Sequence, residues 1–541
     1  MRTSCLLPVL FLILISCNSK EEVDMIVHNA NIYTVDEGFS KASSFAVKDG
    51  KFVAISEKGD LSEEFTTKNQ IDANGKTLVP GLIDAHCHFY GLGMNQQIVD
   101  LAGTQSYEEV MERVIDFHEK NPSNVLRGRG WDQNDWEVKE FPSNTKLNEQ
   151  FPNIPVVLER VDGHAYHVNQ KALDMAGITD ETHVEGGEIA RNEEGSAIGI
   201  LVDAPMGLVD AVLPKPTKEI QIKALQQADS ICLDYGLTTV HDAGLSRDVI
   251  ELIDSLHQGD ALQIRMYTMV SNTPDNLDYY LNKGIIKTNK LSVRSVKVYG
   301  DGALGSRGAT LKEPYSDKEG HFGAMITPAD EMEALAQRIA ETDYQMNTHA
   351  IGDSANIVVL RAYEKALEGK SDRRWRIEHA QIVSPIDFDY FEKGIIPSVQ
   401  PTHATSDMYW AEDRIGEERM HGAYAFKTLL DKAGTVALGT DFPVEKVSPF
   451  LTFYAAVVRK DLDNYPEGGF QMKDALSREE ALRGMTIWAA HSGFEENEKG
   501  SIEVGKVADF VILSDDIMTV AAEKIPNLEA EQVFLGGKRI K

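Results

Sequence analysis

The chain has 541 residues, with 85 Asp and Glu against 54 Lys and Arg, and a formal net charge of −31. Its 42% hydrophobic and 26% charged content supplies enough apolar material for a large core, which excludes wholesale disorder. The acidic balance argues against nucleic-acid binding, which needs basic surface to neutralise phosphates.

In chain order, Met1-Arg2-Thr3 is a short basic start, and Leu6 to Ile15 is an almost unbroken apolar run. That run is too short to span a bilayer but suits a signal h-region. It ends in Leu14-Ile15-Ser16-Cys17, which resembles a bacterial lipobox. The resemblance implies that residues 1–17 form a lipoprotein signal, cut before Cys17, which is then lipidated. Asn18 to Glu22 reads as an acidic tether. No later stretch is long and apolar enough to span a membrane, so lipid alone is expected to hold an exported protein at a bacterial membrane, most simply the outer one. Once the signal is removed, Cys87 and Cys232 remain, too few for a disulfide scaffold.

Residues 18–80 then show short alternating strands such as Met25-Ile26-Val27 and Phe45-Ala46-Val47, punctuated by turn residues. The same style returns in 496–541, at Ala508 to Leu513 and Val533 to Lys538. Both chain ends are therefore expected to build one small β-sandwich. Between them, residues 81–495 repeat a short apolar strand, a polar tip and an amphipathic helix. Strands are expected at Leu82–His86, Thr238–Asp242, Gln263–Val270, Val293–Tyr299, Gln345–His349, Arg376–His379, Ile396–Gln400 and Thr435–Asp441. Eight such units predict an α/β fold, a (β/α)8 TIM barrel. Thr327-Pro328 and the Ser477…Glu480 capping box mark helix starts. The first two strands are too far apart for one crossover, so an insertion at about residues 95–230 is expected, placed as a cover over the barrel mouth.

The chemistry gathers at the strand ends. His86 and His88 alternate along the first strand, so their imidazoles face one side and Cys87 the other. The fifth strand ends in His349, the sixth in Glu378-His379 and the eighth in Thr440-Asp441, while Lys297 lies near the end of the fourth. The C-terminal strand ends of such a barrel converge on one mouth, which would bring four histidines, an aspartate and a lysine together.

These residues resemble the amidohydrolase superfamily. Val79-Pro80-Gly81-Leu82-Ile83-Asp84-Ala85-His86-Cys87-His88 is similar to its first-strand signature, and Gly500 to Leu513 to its return into the small β unit. Gly128 to Gln133, Arg160 to His164, Val240 to Gly244 and Asp301 to Gly305 point to the YtcJ-like branch, which includes N-substituted formamide deformylases. The resemblance implies one divalent metal on His86, His88 and Asp441 and a second on His349 and His379. Lys297, carboxylated, would bridge them. Zinc is the expected metal, and an unmodified Lys297 would leave a mononuclear site. Asp441 would act as general base and then general acid. Trp131, Arg160, His164, Asp301 and His403 are candidate substrate-binding residues. The implied activity is hydrolysis of a non-peptide C–N bond in a small molecule, an amide, formamide or cyclic amide. Lactone or ester hydrolysis and deamination share the chemistry, and a non-catalytic ligand-binding lipoprotein is the non-enzymatic alternative. The expected partners are a small-molecule substrate, no nucleic acid, and a second copy if the chain forms a homodimer.

Overall fold

The computed structural model describes residues 20–541, apart from 60, 134–135, 161–164, 185–186, 306 and 371. Cys17 and His164 therefore lie outside the described residues, as does the signal segment. No helix among the described residues is long and apolar enough to cross a membrane.

Eight parallel strands follow one another in chain order around a barrel: β1 (Leu82–Cys87), β2 (Leu237–Leu245), β3 (Arg265–Ser271), β4 (Leu291–Tyr299), β5 (Gln345–Ala350), β6 (Arg376–His379), β7 (Ile396–Val399) and β8 (Ala437–Leu438). Each predicted strand is present, and β8 is shorter than its apolar run suggests. The reason is local. Beyond Leu438 the chain leaves regular pairing, and the backbone N–H of Asp441 donates to the carbonyl of His86 at 2.8 Å. Thr440 Oγ1 also donates to Asp84 Oδ2 at 2.7 Å, so the top of β8 closes on β1. Gly439 permits this approach, because a Cβ there would fall 2.5 Å from the His86 nitrogen. Lower down, Ile83 N–H donates to Met485 O, and Ala489 and Ala490 pack against Ile83 and Ala437. The barrel is thus nearly closed, with a helical segment wedged between its first and last strands.

The capping box at Ser477 and Glu480 forms as the sequence predicts, but its helix spans only Arg478–Gly484 before a second begins at Ile487. Thr327 does not cap the helix Ala329–Ala340; its hydroxyl donates instead to the carbonyl of Tyr299 at 2.7 Å.

Both chain ends do meet in one β unit. Phe510–Leu513 pairs antiparallel with Thr77–Pro80, which pairs in parallel with Asn31–Tyr33. A second sheet, containing Met25–His28 and Ser44–Lys48, packs on it through Val27, Phe45, Phe52, Phe510 and Phe534. The insertion holds a six-stranded mixed sheet between Val99 and Asp203, with one apolar cluster around Trp131 and Leu158 and another around Val157 and Leu201. Alternate residues of one strand, Val157 and Leu158, enter different clusters, so both faces of this sheet are buried.

Candidate metal centre

At the C-terminal end of the barrel, Asp441 stands between two groups of imidazoles. Its Oδ1 lies 3.1 Å from His88 Nε2 and 3.7 Å from His86 Nε2. Its Oδ2 lies 3.2 Å from His403 Nε2. The ligating atoms of His86, His88 and Asp441 lie within 4.8 Å of one another, and so do those of His379, His403 and Asp441. Two three-donor sets therefore share one carboxylate.

The His349 ring is 4.5 Å from that of His379, centroid to centroid, and His403 also comes within ligating distance of His379 and Asp441. His403, expected beside substrate, stands among the donors. Lys297, fully buried, places Nζ 3.2 Å from His86 Nε2.

The backbone turns two of these donors into place. His379 has φ of 74° and Asp441 of 63°. These left-handed values cost of order 1–3 kcal/mol for a non-glycine residue and persist where surrounding structure holds them. His379 ends β6 and Asp441 lies three residues beyond β8, and the left-handed turn breaks the alternation that would otherwise set their direction.

Electrostatics favour donors over cations. Burial, aided by the Lys297 charge, lowers His86 to about 4 and His349 to about 3, and burial holds His379 well below its usual value. These imidazoles are neutral near pH 7, the form that ligates metal. Burial lowers the Lys297 ammonium to about 8, so its neutral amine, the form that adds carbon dioxide, is accessible. For Asp441, burial opposes ionisation, but the hydrogen bond from His403 and the adjacent His88 imidazole outweigh it and hold the carboxyl well below the carboxylate range. His403 is the exception: burial disfavours its cation, yet Asp441 and Glu445 raise it to about 10.

The residues fit a divalent cation on one further observation. His349 Nε2 and Asp441 Oδ1 are buried without a hydrogen-bond partner. An unsatisfied buried polar atom costs about 1–3 kcal/mol, and a cation would satisfy both.

Comparison with known proteins gives the family. A model of the amidohydrolase family matches residues 69–540. The chain belongs to the amidohydrolase family. The putative amidohydrolase YtcJ of Bacillus subtilis (strain 168) is 30% identical over 526 residues, covering 95% of this chain and 98% of that protein. The N-substituted formamide deformylase of Arthrobacter pascens is 28% identical over 546 residues, covering 95% and 97%. Among solved structures, an uncharacterised metal-dependent hydrolase from Pyrococcus horikoshii OT3 superposes with a TM-score of 0.79 at 27% identity, covering 92% of this chain and 99% of that one.

Other expected site residues of this amidohydrolase are held by partners of their own. Trp131 is buried, donates its indole N–H to Leu158 O at 2.8 Å, and packs against Trp136 in the core of the insertion. Arg160 is engaged within the insertion, with Nε donating to Gln133 at 2.9 Å and Nη2 2.5 Å from Asp132. Asp301 is fully buried and accepts from the backbone N–H groups of Thr310, Ile351 and Gly352 at 2.8 to 3.0 Å. Its carboxylate fixes the loops beyond β4 and β5, and its Oδ1 lies 3.7 Å from His349 Nε2.

The sequence reading missed three groups that orient the imidazoles. Glu378 Oε2 lies 2.5 Å from His86 Nδ1, Gln400 Oε1 lies 2.7 Å from His379 Nδ1, and Glu445 Oε1 lies 3.2 Å from His403 Nδ1. For His86 and His379, an acceptor on Nδ1 fixes the tautomer that leaves Nε2 free to bind. A carboxylate beside or shortly after a candidate ligand, as in Glu378-His379, was the available signal.

Proposed function

We propose that this amidohydrolase cleaves a non-peptide C–N bond of a small molecule, an amide, formamide or cyclic amide, using two divalent metal ions with zinc as the expected metal. The observation that carries the reading is the shared carboxylate: Asp441 turns one oxygen towards His88 and the other towards His403. When bound, the metals would polarise the substrate carbonyl and acidify a water. Asp441 would accept that water's proton and return it to the leaving nitrogen as the acyl carbon gains oxygen and the C–N bond breaks. Lys297 is read as carboxylated between the metals, since an unmodified ammonium 3.2 Å from His86 Nε2 would repel a cation there. The formamide part of the reading is supported by the activity named for the Arthrobacter relative. Export and lipid attachment at Cys17 belong to the same proposal, and mass spectrometry of the amino-terminal peptide tests them.

The decisive experiment is metal content after gentle purification, followed by a panel of N-formyl, N-acyl, cyclic-amide and lactone compounds. About two metals per chain, rising with zinc and bicarbonate, and turnover of a C–N substrate are expected. Fewer than one metal with no gain on reconstitution, or turnover of lactones alone, overturns the reading.

A further inference from the structure

Barrels of this kind usually fill their interior with layers of branched apolar side chains. Against His86, this one places a buried ion pair. Arg376 and Glu378 alternate along β6, so both face the interior, and both are fully buried. Arg376 Nε is 2.8 Å from Glu378 Oε1, and its Nη2 is 3.2 Å from Glu378 Oε2. The same Nη2 donates to Ser398 Oγ of β7 at 2.8 Å and to the carbonyl of Ala85 in β1. Nη1 lies 3.1 Å from His241 Nδ1 of β2. One guanidinium therefore links strands on opposite sides of the barrel.

The pair bears on one imidazole. Glu378 Oε2 takes up His86 Nδ1 at 2.5 Å, while His86 Nε2 faces Lys297 and Asp441. Stability alone does not account for this arrangement. Replacing a buried ion pair by apolar residues of similar volume is often neutral or stabilising, whereas removing one partner strands a buried charge.

We propose that Arg376 and Glu378 are positioning residues: Arg376 orients the Glu378 carboxylate, which fixes His86 as its Nδ1–H tautomer and turns Nε2 into the metal centre. The proposal rests on the metal reading above. Neither residue touches substrate; Arg376 acts through Glu378, and Glu378 through His86. A carboxylate behind a ligating histidine fixes the ring and raises its basicity, and losing such a partner typically weakens metal binding by about 10–100-fold.

The test titrates Zn2+ into metal-free protein against a chromophoric chelator and records the melting temperature of the same metal-free samples. Glu378→Gln, which strands the Arg376 charge, is expected to melt below the wild type; its folded fraction is expected to bind Zn2+ about 10–100-fold more weakly at one site and to leave the other unchanged. Arg376→Met, which strands Glu378, is expected to shift affinity the same way. The double variant Arg376→Met/Glu378→Leu leaves no stranded charge; it is expected to melt near the wild-type temperature and still show the weaker site. A folded Glu378→Gln or double variant that binds Zn2+ at both sites within twofold of wild type overturns the proposal. So does a loss of binding that only tracks the unfolded fraction. Wild-type protein that takes up no Zn2+ overturns the metal reading itself, and this proposal with it.

Discussion

His403 Nε2 lies 3.2 Å from Asp441 Oδ2, on the opposite side of the carboxylate from His88. Asp441 is thereby committed through both oxygens, and its left-handed backbone holds it so. Asparagine tolerates that conformation, so Asp441→Asn should preserve the fold while removing the base and one anionic donor. The expected loss in kcat is at least about 10²–10⁴-fold, the range for general acid–base catalysis. Retained turnover with an unchanged far-ultraviolet circular dichroism spectrum would show that the proton goes elsewhere.

The same contact separates two roles for His403. If it is a donor of the second set with His379, His403→Gln should lower metal content from about two per chain towards one. If it only meets substrate, metal content should stay fixed while KM rises. The first outcome is expected, because His403, His379 and Asp441 bring ligating atoms within 4.8 Å of one another, and a cation bound there would displace the proton that Asp441 and Glu445 otherwise hold on the ring. His349→Gln is the matching control for the imidazole whose Nε2 is buried without a hydrogen bond.

The barrel strands and most donors were legible because each strand is a short apolar run that stops at a polar residue, and such strand ends must converge. Directions of individual side chains were not. His379 and Asp441 depart from strand alternation through left-handed turns, which no two-residue period reveals. Trp131 and Arg160 sit in motifs that the family resemblance marks, yet their facing is set by partner strands of the inserted sheet, remote in sequence. Glu378 was overlooked for a related reason: its partner His86 lies 292 positions away, and a charged residue in a strand is ordinarily read as solvent-facing.

Asp301 tests the distinction between anchoring and substrate contact. Its carboxylate accepts three backbone N–H groups, and asparagine offers a single acceptor oxygen with an NH2 facing the remaining donors. Asp301→Asn should therefore cost stability by about 1–3 kcal/mol for each buried donor left unpaired. The melting temperature should fall, with KM little changed in the folded enzyme. A raised KM at an unaltered melting temperature would return Asp301 to the substrate.

The insertion should carry its own acid sensitivity through His167. This imidazole is buried in the inserted sheet, 3.0 Å from the Tyr107 hydroxyl, and burial lowers it to about 3. An unfolded histidine titrates near 6.5, so between those values the unfolded chain holds a proton that the folded one does not. The stability from keeping this ring neutral is thus fully present above about pH 6.5. It falls as the pH drops towards 3, with a limiting slope of about 1.4 kcal/mol per pH unit. His167→Gln removes the titration while keeping a polar side chain. Urea midpoints measured from pH 7 to 4.5 should therefore decline less steeply in the variant than in the wild type. Other buried histidines contribute equally to both curves and cancel in the difference. Parallel curves would mean that the His167 ring titrates alike in the folded and unfolded protein.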